Sequence, residues 1–256
     1  MRKAFFFEPM DNLIWFILLA LLAEVLGTLG GFGSSLFFVP LASMFFDFHT
    51  VLGITALFHV FSNISKIVLF KHGFDKRIVI RMGIPAVLFV SLGAWMSNWF
   101  DSTYLEMGLA FLLIALSVLF LLKPHLEVKA NDWSLTGGGI LSGFLAGLLG
   151  TGGAVRGVVL ASYNLEKSVF IASSAMIDLG VDVSRSFVYF KNGYMRKEDI
   201  YLLPILLLVG WFGSYLGKRW LDRISQKHFK NIVLIFILMV GIFTLLRPLF
   251  MPDKME

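Results

Sequence analysis

Six charged side chains stand inside long apolar stretches of this chain: Glu24, Lys66, Arg156, Asp178, Asp182 and Arg185. A charge at the centre of a bilayer costs about 2.5 kcal/mol or more, so such residues face an interior, pair with one another or reach for the interface. Asp178, Asp182 and Arg185 fall at i, i+4 and i+7, one face of a helix. His59, Ser62, Asn63 and Lys66 share a face in the same way. The two faces are expected to look at each other across a polar centre made of His59, Asn63, Asp178, Asp182 and Arg185, with Glu24 beside it. Intramembrane carboxylates commonly relay protons, which makes Asp178 and Glu24 the candidates for coupling. Lys66 and Arg185, near their helix ends, can equally snorkel to the interface. Asp182 and Arg185 can equally form a structural ion pair. His59 reads more simply as a hydrogen-bonded interior histidine than as a proton carrier.

Two glycine runs carry the second kind of chemistry. They are Gly27-Thr28-Leu29-Gly30-Gly31-Phe32-Gly33-Ser34-Ser35 and Gly147-Leu148-Leu149-Gly150-Thr151-Gly152-Gly153-Ala154. Each glycine in a helix costs up to about 1 kcal/mol, so something must compensate. Gly139, Gly143 and Gly147 lie four apart, as do Gly213 and Gly217, and close helix contact accounts for Gly139, Gly143, Gly213 and Gly217. The clusters are better read as breaks at membrane depth, tolerated where backbone is buried or lines a cavity. Helices restarting at Ser34 and Ala154 would aim free N–H groups and positive dipole ends at the break, a setting for an anion. The candidate substrate contacts are Gly30, Gly31, Gly33, Ser34 and Ser35 from the first run. From the second they are Gly150, Thr151, Gly152 and Gly153. Arg156 follows closely, where a cation opposes the helix dipole. It is expected to contact the anion through its guanidinium fork, the rival being a structural pair with Glu24 or Asp178. A nucleotide-binding loop is excluded, since no strand precedes either run and no Lys-Ser/Thr pair follows.

The elements that position these residues follow from composition. Of 256 residues 57% are hydrophobic and 15% charged, with mean hydropathy +0.81, against about 25% charged in soluble domains. Ten apolar segments are expected, at 12–29, 33–46, 51–71, 78–98, 104–122, 134–150, 152–163, 168–190, 199–217 and 230–250. Gly27, Gly30 and Gly33 recur as Gly147, Gly150 and Gly153, and Lys71-His72-Gly73-Phe74 as Lys191-Asn192-Gly193-Tyr194. Two copies are therefore expected, 1–123 and 134–256, joined by a polar linker at 124–133. A full span needs about 20 residues, so the arms 33–46 and 152–163 read as half-membrane helices. With five segments per copy the copies should be inverted. The predicted fold is an all-α integral membrane protein with two inverted repeats of about five apolar segments and broken helices at the Gly-rich motifs. Trp15, Trp95, Trp99, Trp211 and Trp220 suit membrane interfaces. The net charge of +5 lies mostly in loops, so no nucleic-acid partner is expected. Cysteine is absent, and no histidine or carboxylate group has metal-ligand spacing. No metal site, cofactor or catalytic residue is expected, and the protein is not read as an enzyme. The apolar start, interrupted by Glu24 and lacking a cleavage site, reads as a first membrane segment rather than a signal peptide.

The glycine run from Gly27 to Gly33, followed by Leu36-Phe37-Phe38-Val39-Pro40-Leu41, resembles the TauE/SafE permeases, described as sulfite and organosulfonate exporters. The family's small-residue helix start looks like Gly53-Ile54-Thr55 and, in the second copy, Ala172-Ser173-Ser174. The resemblance therefore adds Thr55 and Ser174 to the substrate contacts. Ser34-Ser35 stands where glycines are usual, and Leu160 where the second copy would carry proline. The resemblance implies a multi-pass secondary transporter of the plasma (inner) membrane for a small anion, a sulfur oxyanion or organosulfonate. Coupling to H+ or Na+ is expected, and a homodimer is a candidate assembly. The alternatives are a passive anion channel, an intramembrane enzyme, for which no nucleophile and base converge, and a non-transporting membrane assembly factor.

Overall fold

A computed structural model describes residues 9–31, 33–71, 73–123, 128–195, 197–221, 235 and 237–246. Helices dominate: α1 (Pro9–Gly30), α2 (Ser35–Ala42), α3 (Phe48–Leu69), α4 (Lys76–Met96), α5 (Ser102–Leu122), α6 (Asp132–Leu149), α7 (Gly153–Ala161), α8 (Lys167–Lys191), α9 (Leu202–Leu221) and α10 (Ile237–Leu246). No strand occurs among the described residues. Windows within α1, α3, α4 and α5 are long and apolar enough to cross a membrane. α8 is longer still, at 25 residues, but its charged side chains lower its hydropathy.

Local chemistry sets the boundaries. The Asp47 carboxylate accepts from Thr50 N–H at the start of α3, and Asp75 from Ile78 N–H at the start of α4. Asn131 and Ser134 cap each other's backbone, so α6 begins at Asp132, inside the stretch read as linker. Pro124, His125 and Glu127 of that stretch lie outside the described residues, as do 230–234, 236 and 247–250 of the segment expected at 230–250. Each cap precedes a run whose apolar side chains have somewhere to go.

The two short helices are set apart by length. α2 has 8 residues and α7 has 9, so they rise only about 12–14 Å against a hydrocarbon core of about 30 Å. α2 buries every residue from Leu36 to Ala42 and is thus enclosed by protein. It returns along α1: Ser34 lies against Gly27, and Phe45 and Phe46 pack on Phe16, with ring centroids 5.7 and 5.2 Å away. α7 returns along α6 likewise. Gly152 lies against Ser142, Val159 against Gly138, and Tyr163 Oη donates to Asn131 O at 2.7 Å.

Small residues allow the long helices to touch. A Cβ on Gly139, Gly143 or Gly147 would come within 2.1–2.3 Å of the carbonyls of Met82, Ala86 and Val90. α4 and α6 therefore run parallel with their backbones in contact, the most extensive helix pair in the molecule. Gly213 and Gly217 meet Glu24 and Thr28 in the same way, so α1 and α9 are also parallel. Gly210 lies against Ser62, and Lys218 Nζ donates to Leu69 O, which sets α3 parallel to α9. α3 and α8 run in opposite directions, since His59 meets Arg185 while Asn63 meets Asp182. Trp15, Trp95, Trp99, Trp211 and Trp220 are exposed on the outside, as lipid-facing residues should be.

Candidate functional site

The chain turns from α1 into α2 through Gly31 (φ 68°) and Gly33 (φ 82°), and from α6 into α7 through Gly150 (φ 81°). All three lie in the left-handed region that favours glycine. The tips of the two turns meet: Ser35 Oγ lies 3.2 Å from Thr151 Oγ1. Gly33 also sits beside the Arg156–Asp178 pair, with a Cβ position 3.4 Å from Arg156 Nη2. The N-termini of α2 and α7 thus converge near the middle of α3 and α8.

Around these tips lie three ion pairs. Arg156 on α7 holds both carboxylate oxygens of Asp178 on α8 with its two terminal nitrogens, and its Nε donates to Ser174 Oγ at 2.9 Å. This is the structural pairing weighed as the rival to anion contact. Arg185 Nη2 meets Asp182 at 2.6 Å, and Nη1 donates to Ala146 O and Gly150 O, which ties α8 to the second break. Asn63 donates to Asp182 at 2.7 Å from α3. The third pair, Glu24 with Lys66 at 2.8 Å, joins α1 to α3. Glu24 further accepts from Thr28, Ser34, Ser62 and Ser214. Lys66 and Arg185 are buried and paired, so neither snorkels, because an inward partner was in reach.

A small cavity opens between the tips and the middles of α3 and α8. Of the expected substrate contacts, Gly33, Ser34, Ser35, Gly150 and Gly152 line it; of the expected polar core, His59, Asn63, Asp178, Asp182 and Arg185 do. Gly30, Gly31, Thr55, Thr151, Gly153, Arg156, Ser174 and Glu24 are not on its wall. Thr151 and Arg156 stand directly behind it through Ser35 and Gly33, whereas Gly31 packs on Phe170 and the buried Thr55 hydroxyl has no hydrogen-bond partner among the described residues. Lys66, omitted from the expected site, lines the cavity. Ser214 was not anticipated either. Its only signal is its place between Gly213 and Gly217, on the face that must press against Glu24. Among the described residues no group of three or more histidine or acidic side chains is placed to hold a metal ion.

Residues 16–244 match the sulfite exporter TauE/SafE family. The chain belongs to that family. Within TauE/SafE, the glycine breaks at 27–33 and 147–153 and the three ion pairs all fall inside the matched region. A probable membrane transporter protein of Methanocaldococcus jannaschii is 26% identical over 265 residues, covering 94% of this chain and 98% of that one. No solved structure matches the chain. TauE/SafE membership, together with the apolar helices, makes this a multi-pass membrane protein of a transporter family.

Proposed function

We propose that the protein is a secondary transporter of the plasma membrane for a small anion, a sulfur oxyanion or organosulfonate, coupled to H+ or Na+. The observation that carries this reading is the meeting of two helix N-termini, at Ser35 and Thr151, over a cavity walled by buried charges. Discontinuous helices of this kind supply free N–H groups and positive dipole ends to anionic substrates. Charge balance supports coupling. Glu24, Asp178 and Asp182 match Lys66, Arg156 and Arg185, so an arriving anion leaves the low-dielectric cluster with negative charge in excess, one unit for each charge it carries. Protons or sodium ions at the carboxylates restore the balance.

The same reading includes two inverted copies, 1–123 and 134–256. Helices at equivalent places in the repeat are α1 and α6, α3 and α8, and α4 and α9. The parallel contacts of α4 with α6 and of α1 with α9, and the opposed directions of α3 and α8, support an inversion of each pair. Alternating access would then rock one set of helices against the other around the fixed tips.

The test is uptake of labelled sulfite, sulfate and sulfoacetate into proteoliposomes with an imposed pH or Na+ gradient. Saturable uptake accelerated by one gradient is expected. Flux that ignores both gradients and never saturates would mean a passive channel, and no flux of any of the three anions would remove the anion reading.

A further inference from the structure

Two hydrogen-bond donors on residues of the cavity wall have no partner among the described residues. Arg185 Nε and His59 Nε2 are both buried and unpartnered there, on residues only 2% and 4% exposed, and both residues line the same cavity. The other Arg185 nitrogens are committed: Nη1 to two backbone carbonyls and Nη2 to Asp182. Nη2 also lies 3.5 Å from His59 Nδ1. A guanidinium nitrogen can only donate, so Nδ1 must be the acceptor and the hydrogen of the neutral ring sits on Nε2. Both orphans are therefore N–H groups. Buried donors are almost always satisfied, and an unsatisfied pair on a cavity wall calls for an acceptor.

We propose that these two N–H groups seat the transported anion: a ligand with at least two acceptor oxygens, such as sulfite or the head of a sulfonate, bound to Arg185 Nε and His59 Nε2. The assignment rests on the anion-transporter reading above and deepens it. Arg156 is the obvious rival, but its Nε donates to Ser174 and each terminal nitrogen gives one of its two N–H groups to Asp178. It also lies behind the cavity wall. The imidazole contributes a neutral donor, so the seat adds hydrogen bonding without a further unpaired cation. Gly33, Ser35 and Gly150 line the same cavity. Asp178, Asp182 and Lys66 also face the cavity, and the two carboxylates, which accept and do not donate when ionised, disfavour any second anion-binding pose against α8.

The experiment is titration of the purified full-length protein with sulfite, sulfate and sulfoacetate, read by thermal shift and calorimetry. His59→Phe removes the Nε2 donor and keeps the ring volume, and is expected to raise the Kd roughly tenfold or more. His59→Gln returns an amide N–H near that position and should recover most of the affinity. Arg185→Lys keeps the charge for Asp182 but deletes Nε, with an expected loss of similar size. Arg156→Lys should change Kd less than either. Wild-type affinity in folded His59→Phe would overturn the assignment, whatever Arg185→Lys does, because this variant leaves the ties of Arg185 to Gly150 intact. Should the wild type itself bind none of the three anions, the anion reading falls and the seat with it. Binding that survives His59→Phe but is lost in Arg156→Lys moves the seat to Arg156 and leaves the transporter reading standing.

Discussion

At the scale of single residues, the three carboxylates of the polar core are unequal. Glu24 is fully enclosed and takes hydrogen bonds from hydroxyls on α1, α3 and α9 and from the N-cap of α2, besides the Lys66 ammonium. It is a fastening point for four segments. Breaking one member of such a buried pair strands the other charge, so Glu24→Gln is expected to cost about 3–5 kcal/mol of stability. Adding Lys66→Met should restore most of it, as a chemical or thermal melt of the purified proteins would show. A Glu24→Gln protein as stable as wild type would contradict this account. Asp178 is different: its side chain is 17% exposed, against 0% for Glu24 and 4% for Asp182, and it faces the cavity. Asp178→Asn keeps the shape but cannot carry a proton. Like Glu24→Gln it strands a buried cation, here Arg156, and should lose stability; the folded fraction should still bind anion, yet lose the acceleration of uptake by an imposed gradient. Unaltered gradient dependence would take Asp178 out of the coupling step. The sequence announces that these charges must find partners, because lipid tolerates them no other way. It does not say which, since Arg156 reaches Asp178 across a loop and Glu24 reaches Lys66 across two.

At the scale of elements, glycine does two separate jobs, and the structure divides them. Gly31, Gly33 and Gly150 supply left-handed turns at the breaks. Gly139, Gly143 and Gly147 instead let α6 lie on α4 backbone to backbone. A methyl group on Gly143 would stand 2.2 Å from Ala86 O, while one on Gly137, in the same helix, would meet nothing within 4 Å. Gly143→Ala is therefore expected to destabilise by about 1–3 kcal/mol, as forced overpacking does. Gly137→Ala should be neutral or stabilising by up to about 1 kcal/mol through helix propensity. Parallel melts of the two variants check both signs. Spacing alone made Gly139 and Gly143 readable, because residues four apart share a helix face. Hydropathy located the long helices, and the two glycine runs marked the starts of α2 and α7, which are too short to stand out. Helix ends were less legible: α6 starts early because Asn131 and Ser134 form a reciprocal cap, a device independent of hydropathy.

At the scale of the whole molecule, the helix directions predict where loops emerge. Lys71 lies just past the end of α3 and Lys218 in the last turn of the neighbouring α9, whereas Asp101 and Lys191 lie at the end marked by the Ser97–Tyr194 and Asn192–Ala94 contacts. The chain has no cysteine, so single Lys71→Cys, Lys218→Cys, Asp101→Cys and Lys191→Cys variants need no altered background. A membrane-impermeant maleimide applied to sealed vesicles should label the first two from one side and the last two from the other. Labelling of Lys71→Cys and Lys218→Cys from opposite sides would exclude the inverted arrangement.

The crossed packing of α1 on α9 and of α4 on α6 has a consequence for how the chain is made. During synthesis, α1 enters the bilayer long before Gly213 and Ser214, which close over Glu24, have been translated. Lys66 arrives first and can neutralise the carboxylate, so the early intermediate is tolerable in lipid but open along one flank. α4 likewise waits with a bare backbone stripe until the α6 glycines follow. The faces of α1 and α4 that α9 and α6 cover therefore stay open until those later helices have been made.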